Sequence, residues 1–223
     1  MLIDQLRQQR ILAILRQRTY GDVAETVDAL VRGGIGAVEF TYTGDNAAAA
    51  IALTKTTFPD VLVGAGTVLN RSQLESALAA GADFAVSPAF DADLVAAAAG
   101  RLPFIPGVLT PSEVATAARA GCTLLKLFPA SLGGPSYTRE LGTLFPTVRF
   151  LPTGGISLET APRYLDAGAV AVGLGAALVG SFGIALSAES LEARARQVVE
   201  LTSNACGGTP PALATDTKDM KCV

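Results

Sequence analysis

The stretch IGAVEFTYTGDNAAAAIALTKTTFPDVLVGAG, residues 35–66, contains the unit from which the fold of the whole chain is predicted. It places an apolar run, AVEFTY (37–42), before a helical pattern, and a second apolar run, VLVG (61–64), after it. Glycine or proline interrupts the chain at a similar interval throughout, at Gly34, Pro59, Gly81, Gly100, Gly121, Pro146 and Gly168. The interval of 19 to 25 residues is the length of one strand, one loop and one helix. A repeated strand-helix unit is therefore predicted.

Eight apolar runs with few charges are candidate strands. They are ILAIL (11–15), AVEFTY (37–42), VLVG (61–64), FAVS (84–87), FIP (104–106), LLKLF (124–128), FLP (150–152) and AVAVG (169–173). Helical patterns lie between them, and one begins with the capping box Thr110-Pro111-Ser112-Glu113. Strands that are apolar on both faces and alternate with helices indicate a parallel sheet. Eight units favour an α/β fold of the (β/α)8 TIM barrel type over an open doubly wound sheet.

Two segments fall outside the repeat. Residues 1–10 resemble a short extra amphipathic helix before the first strand, placed to close the bottom of the barrel. A helix is expected from about Ser187 to Leu201, followed by a segment rich in Gly, Pro, Ser and Thr. We therefore expect a single barrel domain over 1–201 and a flexible C-terminal tail over 202–223.

Composition excludes several classes of function. The 223 residues carry 17 basic and 20 acidic side chains, and the net charge of −3 argues against nucleic acid or an anionic membrane as a partner. With no histidine, the chain has neither a His-ligated metal site nor a Ser-His-Asp triad. Three cysteines in a chain of this length indicate a reducing compartment, so a cytoplasmic location is expected. The uncharged stretch 169–188 is long enough to span a membrane, but its glycines favour a buried strand and a loop.

Lys126 is the first candidate for catalysis. It lies within Leu124-Leu125-Lys126-Leu127-Phe128, where apolar neighbours would surround its amine on a central strand. Burial disfavours the ammonium form and so makes the free amine available as a Schiff-base nucleophile. The alternative is a structural lysine that pairs with a carboxylate inside the barrel or reaches solvent at the strand end.

Glu39 is the second charge expected to be buried, on the second strand. It is either the ion partner of Lys126 or Arg16, or a proton shuttle with a raised pKa. Arg16 follows the first strand directly, which leaves its guanidinium free to bind a carboxylate. An arginine at such a position is otherwise an ordinary surface residue.

Glycine pairs follow the last two predicted strands. Gly154 and Gly155 come after the seventh strand and before a helix expected at Ser157, and Gly173-Leu174-Gly175 follows the eighth. Barrels commonly bind phosphate on the backbone N–H groups of these two loops. Glycines also occur in ordinary tight turns, and the similar GAG motif at 64–66 shows how common the pattern is.

Seven segments together carry a resemblance to a known family. They are AILR (13–16), AVEFT (37–41), VGAGTVLN (63–70), AVSPAF (85–90), FIPGVLTPSE (104–113), LLKLFPAS (124–131) and LPTGGIS (151–157). Over residues 8–201 the sequence resembles the class I aldolases that act on 2-keto-3-deoxy-6-phosphogluconate (KDPG) and 4-hydroxy-2-oxoglutarate (KHG). The order and spacing of the segments are specific, whereas GAGTVL or PTGG alone is not.

The resemblance implies a metal-free, cofactor-free retro-aldol reaction that yields pyruvate and an aldehyde, and it implies a homotrimer. Lys126 matches the Schiff-base lysine, and Glu39 matches the residue that moves protons through a water. Other matching positions imply substrate binding: Arg16 and Thr67 near the substrate carboxylate and keto group, Pro88, Phe128 and Thr153 lining the pocket, and Gly154, Gly155 and Gly175 in the phosphate-binding loops. A small 2-keto acid, expected to be phosphorylated, is the implied partner.

Two positions depart from the family pattern. Thr43 stands where many KDPG aldolases have an arginine, and Ala176 stands where a serine often donates to phosphate. Each loss would weaken phosphate recognition by roughly 1 to 3 kcal/mol. Three alternatives therefore stay open: the same chemistry on the galactonate-derived epimer or on KHG, a phosphate-binding barrel isomerase without covalent catalysis, and a non-catalytic assembly scaffold.

Overall fold

The computed structural model describes residues 1–181 and 186–205. Within them the strands are β1 (Ile11–Leu15), β2 (Ala37–Thr41), β3 (Leu62–Gly66), β4 (Phe84–Val86), β5 (Phe104–Ile105), β6 (Gly107–Val108), β7 (Leu124–Leu127), β8 (Arg149–Pro152) and β9 (Val172–Leu174). All pairings are parallel, in one sheet of order β5-β4-β3-β2-β1-β9 and a second of order β6-β7-β8. The predicted parallel α/β fold is confirmed.

The two sheets approach each other at both of their edges. Only Pro106, which has no N–H to donate, separates β5 from β6. Its carbonyl still accepts a hydrogen bond from the Lys126 N–H at 2.9 Å. At the opposite edges, Thr153 after β8 forms an isolated parallel bridge with Gly173 of β9.

The helices follow the strands in regular alternation. They are α1 (Leu2–Gln9), α2 (Val23–Arg32), α3 (Ala47–Thr57), α4 (Arg71–Ala79), α5 (Ala92–Ala98), α6 (Pro111–Arg119), α7 (Gly134–Leu144), α8 (Ala161–Asp166), α9 (Ala176–Val179) and α10 (Ala188–Ser203), with a 3-10 turn at Ala130–Leu132. The predicted capping box begins α6: Thr110 accepts from the Glu113 N–H, and Glu113 accepts from the Thr110 N–H. No helix in the described ranges is long and apolar enough to cross a membrane.

The two faces of the sheets pack in separate clusters. One face, with Val38 and Phe40 of β2, packs against the surrounding helices. The other face contributes residues at the strand starts, such as Leu62 and Phe84, to an inner cluster that includes Leu6 of α1. The predicted N-terminal helix therefore exists, and it covers the inner face at the amino ends of the strands. The carboxyl ends are left for the site.

Some predicted boundaries differ from the structure. The last strand begins at Val172 rather than at residue 169. The helix expected at Ser157 begins at Ala161, because the hydroxyls of Ser157 and Thr160 each accept from the other's N–H and form a turn before it. The C-terminal helix continues to Ser203, and the predicted tail lies outside the described residues from position 206 onward.

Candidate active site

The predicted site residues gather at the carboxyl ends of the strands. Glu39 and Lys126 lie inside β2 and β7, and the others directly follow a strand or come within three residues of its end: Arg16, Thr67, Pro88, Phe128, Thr153, Gly154, Gly155 and Gly175. Parallel strands place these ends on one side of the sheet, so that residues far apart in sequence share one site.

Lys126 is enclosed by protein, with only 2% of its surface exposed. Its amine lies 5.1 Å from the centre of the Phe128 ring, within the range of a cation–π contact. Burial lowers the pKa of Lys126, the negative charge of Glu39 opposes that shift, and the positive charge of Arg16 adds to it. A lysine in these surroundings is a stronger nucleophile near neutral pH than a lysine in water.

Glu39 is the one carboxylate fully enclosed within the described ranges, at 1% exposure. Neither of its side-chain oxygens has a hydrogen-bond partner among the residues the structure describes. Burial raises the pKa of Glu39, while the charges of Lys126 and Arg16 lower it. An enclosed, unpaired carboxyl group is costly for a folded chain, and such groups concentrate at sites of proton transfer.

Arg16 differs from these two residues because it is exposed. It follows β1 directly, and its charge acts on the pKa of both Glu39 and Lys126. The structure thus brings the three charged candidates together, with the lysine and the glutamate inside and the arginine at the open end. A guanidinium in that place is available to a carboxylate that enters from solvent.

Thr67 has a strained backbone, with φ at 56°. Few β-branched residues adopt a positive φ, and such strain is frequent at binding sites. Nearby, the loop after β4 folds inward: a Cβ placed on Gly107 would lie 2.1 Å from the Pro88 carbonyl oxygen. The Pro88 backbone therefore lies against β6, the strand on which Gly107 pairs with Lys126 of β7.

The loop after β8 is tied to the segment after β7. The Ala130 N–H donates to the Thr153 carbonyl at 2.8 Å, and the Ser131 N–H donates to the Gly154 carbonyl at 3.1 Å. Gly154 and Gly155 both have positive φ, at 93° and 70°, which other residues rarely adopt. The backbone conformation of this loop therefore favours glycine at both positions. The loop lies against the Phe128 ring.

Gly175 lies on the neighbouring loop and directly precedes α9 as its N-cap residue. The bridge between Thr153 and Gly173 brings the loops after β8 and β9 side by side. Thr153 is buried, and its hydroxyl lies against Gly173. This arrangement brings the two predicted phosphate loops to one edge of the site.

Sequence reasoning missed the role of the GAG motif at 64–66. The motif lies inside β3 rather than in a turn after it. Alternate residues of a strand face the same side, so Gly64 and Gly66 both face the inner cluster. A Cβ on Gly66 would lie 1.9 Å from a carboxylate oxygen of Glu39. The spacing of two glycines at i and i+2 within an apolar run was the available signal.

A hydroxyl network at the ends of β1 and β2 was also missed. The Tyr20 hydroxyl lies 2.8 Å from the carbonyl oxygens of both Leu15 and Thr41. The Thr41 hydroxyl in turn lies 2.7 Å from that of Thr43. Thr43 is thereby tied back to the strand.

The part of the chain that the structure describes contains no group of three or more His, Cys, Asp or Glu side chains that could hold a metal ion. The charged side chains that the structure brings together here are those of a lysine, a glutamate and an arginine. These residue types suit covalent and proton-transfer chemistry on a carbonyl substrate.

Comparisons with known proteins agree on one family. The profile described as KDPG and KHG aldolase matches residues 2–197. The 2-dehydro-3-deoxy-phosphogluconate aldolase of Treponema pallidum is 38% identical over 166 residues, which cover 74% of this chain and 79% of that protein. The crystal structure of 2-keto-3-deoxy-6-phospho-gluconate aldolase from Zymomonas mobilis is 33% identical with a TM-score of 0.79, and the match covers 88% of this chain and 95% of that one.

A third relative was crystallised with a reaction intermediate. It is KDPG aldolase from Legionella pneumophila, with pyruvate captured at low pH as a covalent carbinolamine. It is 30% identical to this chain with a TM-score of 0.77, and the match covers 92% of this chain and 98% of that one.

Proposed function

Because the chain belongs to the KDPG and KHG aldolase family, we propose that it cleaves 2-keto-3-deoxy-6-phosphogluconate to pyruvate and glyceraldehyde 3-phosphate through a Schiff base on Lys126. The observation that carries this proposal is the enclosure of Lys126 together with Glu39, whose carboxylate oxygens are unpaired in the described structure. The covalent carbinolamine of the Legionella relative supports the same chemistry.

The reaction begins when the Lys126 amine attacks the C2 carbonyl of the substrate. The resulting carbinolamine loses water and becomes an iminium, which withdraws electrons from C3. The C4 hydroxyl then loses its proton, the C3–C4 bond breaks, and its electron pair forms an enamine while the aldehyde leaves. Protonation of the enamine at C3 and addition of water to the iminium release pyruvate and restore the amine.

Glu39 moves the protons in this sequence, through a water molecule. It accepts and returns protons as the carbinolamine forms and breaks down, which requires a pKa near the working pH. The raised pKa of Glu39 supports that role. Its enclosure beside Lys126 keeps bulk water from competing for the same protons.

The remaining predicted residues bind the substrate. Arg16 and Thr67 hold the carboxylate and keto end, and the phosphate lies on the loops after β8 and β9. The pocket between these two ends is lined by Pro88, Phe128 and Thr153, and the phosphate loops contribute Gly154, Gly155 and Gly175. The positive φ of Thr67, a strained conformation for a β-branched residue, supports its binding role.

A phosphate-binding isomerase that works without covalent catalysis has less support. Such an enzyme would use Glu39 together with a second carboxylate, and Glu39 is the one carboxylate enclosed in the described ranges. The unphosphorylated KHG and the galactonate-derived epimer need no change to the Lys126 chemistry, so they remain alternative substrates.

We further propose that the two sheets close into one eight-stranded (β/α)8 barrel that forms a single domain. Strands β5 and β6 count as one barrel strand interrupted by Pro106, and the bridge between Thr153 and Gly173 supports closure on the other side. The resemblance also supports a homotrimer. The three most exposed leucines of the described residues, Leu69, Leu132 and Leu144, offer apolar surface for such contacts.

The proposed mechanism predicts a covalent adduct with pyruvate. Incubation of the protein with pyruvate, reduction with borohydride and peptide mass spectrometry should find the added mass on Lys126. Borohydride without pyruvate is the control, and Lys55, paired with Asp83 on the outside, should stay unmodified. A folded protein with no adduct would overturn the Schiff-base proposal and favour the non-covalent isomerase.

Substrate preference should respond to Ala176, the first residue of α9 and an exposed one. A serine here would add a donor for a phosphate oxygen. We expect Ala176→Ser to raise kcat/KM for the phosphorylated substrate about fivefold to 150-fold and to leave kcat/KM for KHG unchanged. Ala177→Ser, one position along, is the matched control. An equal change for both substrates would show that the phosphate does not lie at this loop.

A further inference from the structure

We propose that Gly66 is a positioning residue, whose missing side chain creates the slot that holds the Glu39 carboxyl group beside Lys126. This inference rests on the proposed function for its catalytic part. Its structural part, the contact between two neighbouring strands, stands on the geometry of β2 and β3.

The geometry of the slot is defined by the Gly66 backbone. A Cβ built on Gly66 would lie 1.9 Å from Oε1 of Glu39, 2.5 Å from its Cδ and 2.6 Å from its Cγ. All three nearest atoms belong to Glu39, and real Cβ atoms essentially never come within 3.0 Å of such neighbours. Any side chain at position 66 would therefore displace the carboxyl group from its present place.

The conformation of Gly66 does not by itself demand glycine. Gly66 ends β3, where it is in register with Thr41, and it is absent from the residues with positive φ. Alanine would fit its backbone, in contrast to Gly154 and Gly155. Glycine within a strand weakens it, and it commonly marks a point where another group approaches closely. Here the group that approaches is the enclosed carboxyl group of Glu39.

Two other inward-facing glycines show that this contact is specific. A Cβ on Gly64 would meet the Phe84 ring at 2.3 Å, and a Cβ on Gly107 would meet the Pro88 carbonyl oxygen at 2.1 Å. Those glycines make room for an apolar ring and for backbone. Gly66 alone of the three makes room for an ionisable group, and the described structure gives that group no hydrogen bond to hold it. The space left by the missing Gly66 side chain therefore sets where the Glu39 carboxyl group lies relative to its protein neighbours.

A double-mutant cycle with Glu39→Ala tests the proposal. We expect Gly66→Ala to lower kcat at least about 100-fold, the size of a lost proton-transfer group, with KM changed less than about threefold. It should also lower Tm. The Glu39→Ala substitution removes all three contacting atoms. In that background Gly66→Ala should change kcat by less than about twofold and Tm by no more than about one or two degrees, because the contact is gone.

The control is Gly64→Ala, on the same strand but facing Phe84. It should lower Tm by the same amount in both backgrounds. If Gly66→Ala fails to fold while Gly66→Ala/Glu39→Ala folds, the clash lies with Glu39 and the proposal is supported. Equal effects of Gly66→Ala in both backgrounds, or failure of both variants to fold, would overturn it.

The two proposals fail in different ways. An absent pyruvate adduct in the wild-type protein would remove the catalytic role, whereas the Tm part of the cycle needs no substrate. If the Tm effects of the two substitutions are coupled but no pyruvate adduct forms, Gly66 positions the Glu39 carboxyl group without a role in aldolase catalysis. If the adduct forms but the effects of the two substitutions are independent, the aldolase proposal is supported and the positioning role of Gly66 is overturned.

Discussion

The Lys126→Met variant should form no pyruvate, with turnover reduced at least about 10^4-fold. Methionine has a similar length and no amine, so the inner packing is kept while the nucleophile is lost. The measurement is pyruvate release from the phosphorylated substrate, with borohydride trapping as a second readout. Lys55→Met is the matched control: it removes a lysine that pairs with Asp83 at 28% exposure, outside the site, and should keep turnover. Turnover of Lys126→Met within about tenfold of wild type would show that another group forms the bond.

The same variant should make stability depend on pH through Glu39. The positive charge of Lys126 lowers the pKa of Glu39. Without that charge, the pKa of Glu39 in the folded state rises further above its ordinary value of 4.5. The folded state then keeps a proton that the unfolded state loses, so stability falls as pH rises from 4.5 toward the folded pKa. Lys126→Met/Glu39→Gln lacks this titration. The difference in Tm between the two variants should therefore change with pH over that window, and a constant difference would contradict the coupling.

Much of the site could be predicted because its chemistry depends on residue types that are unusual where they occur. A lysine between leucines and a glutamate between apolar strand residues are costly to bury, so each indicates a site from the sequence alone. The repeat of strand and helix predicts that both lie toward the carboxyl ends of their strands. The structure has them inside β2 and β7, where the charge of each acts on the pKa of the other. The pyruvate chemistry itself came from the resemblance.

Two features could not be predicted, one set by strand pairing and the other by a choice between two local turns. Gly66 reads as a turn residue until β3 is paired with β2, because only the pairing brings Glu39 against it. The helix start at Ala161 depends on the hydroxyls of Ser157 and Thr160, which could equally have capped an earlier start. In both cases the local sequence permits two arrangements. The pairing of β2 with β3 selects one for Gly66, and a local turn is the one that forms before α8.

The Glu39→Gln variant should lose about 10^2- to 10^4-fold in kcat and yet form the pyruvate adduct at lower pH than the wild type. Glutamine keeps the shape of the side chain and fits the slot at Gly66, but it cannot accept or return a proton. The negative charge of Glu39 raises the pKa of Lys126, so its removal lets burial lower that pKa further. A larger fraction of the amine is then free at a given pH, which shifts half-maximal trapping downward.

The two effects of Glu39→Gln separate the roles of the carboxyl group. Adduct yield should be measured after equilibration at each pH, so that slower carbinolamine formation does not mimic a pKa change. Glu113→Gln is a suitable control, because this exposed carboxylate caps α6 and its pKa is lowered by local hydrogen bonds. It should lower Tm and leave both kcat and the trapping curve in place. If Glu39→Gln moved the trapping curve to higher pH, Glu39 would not be acting as a negative charge beside Lys126, and the proton-shuttle role would lose its electrostatic basis.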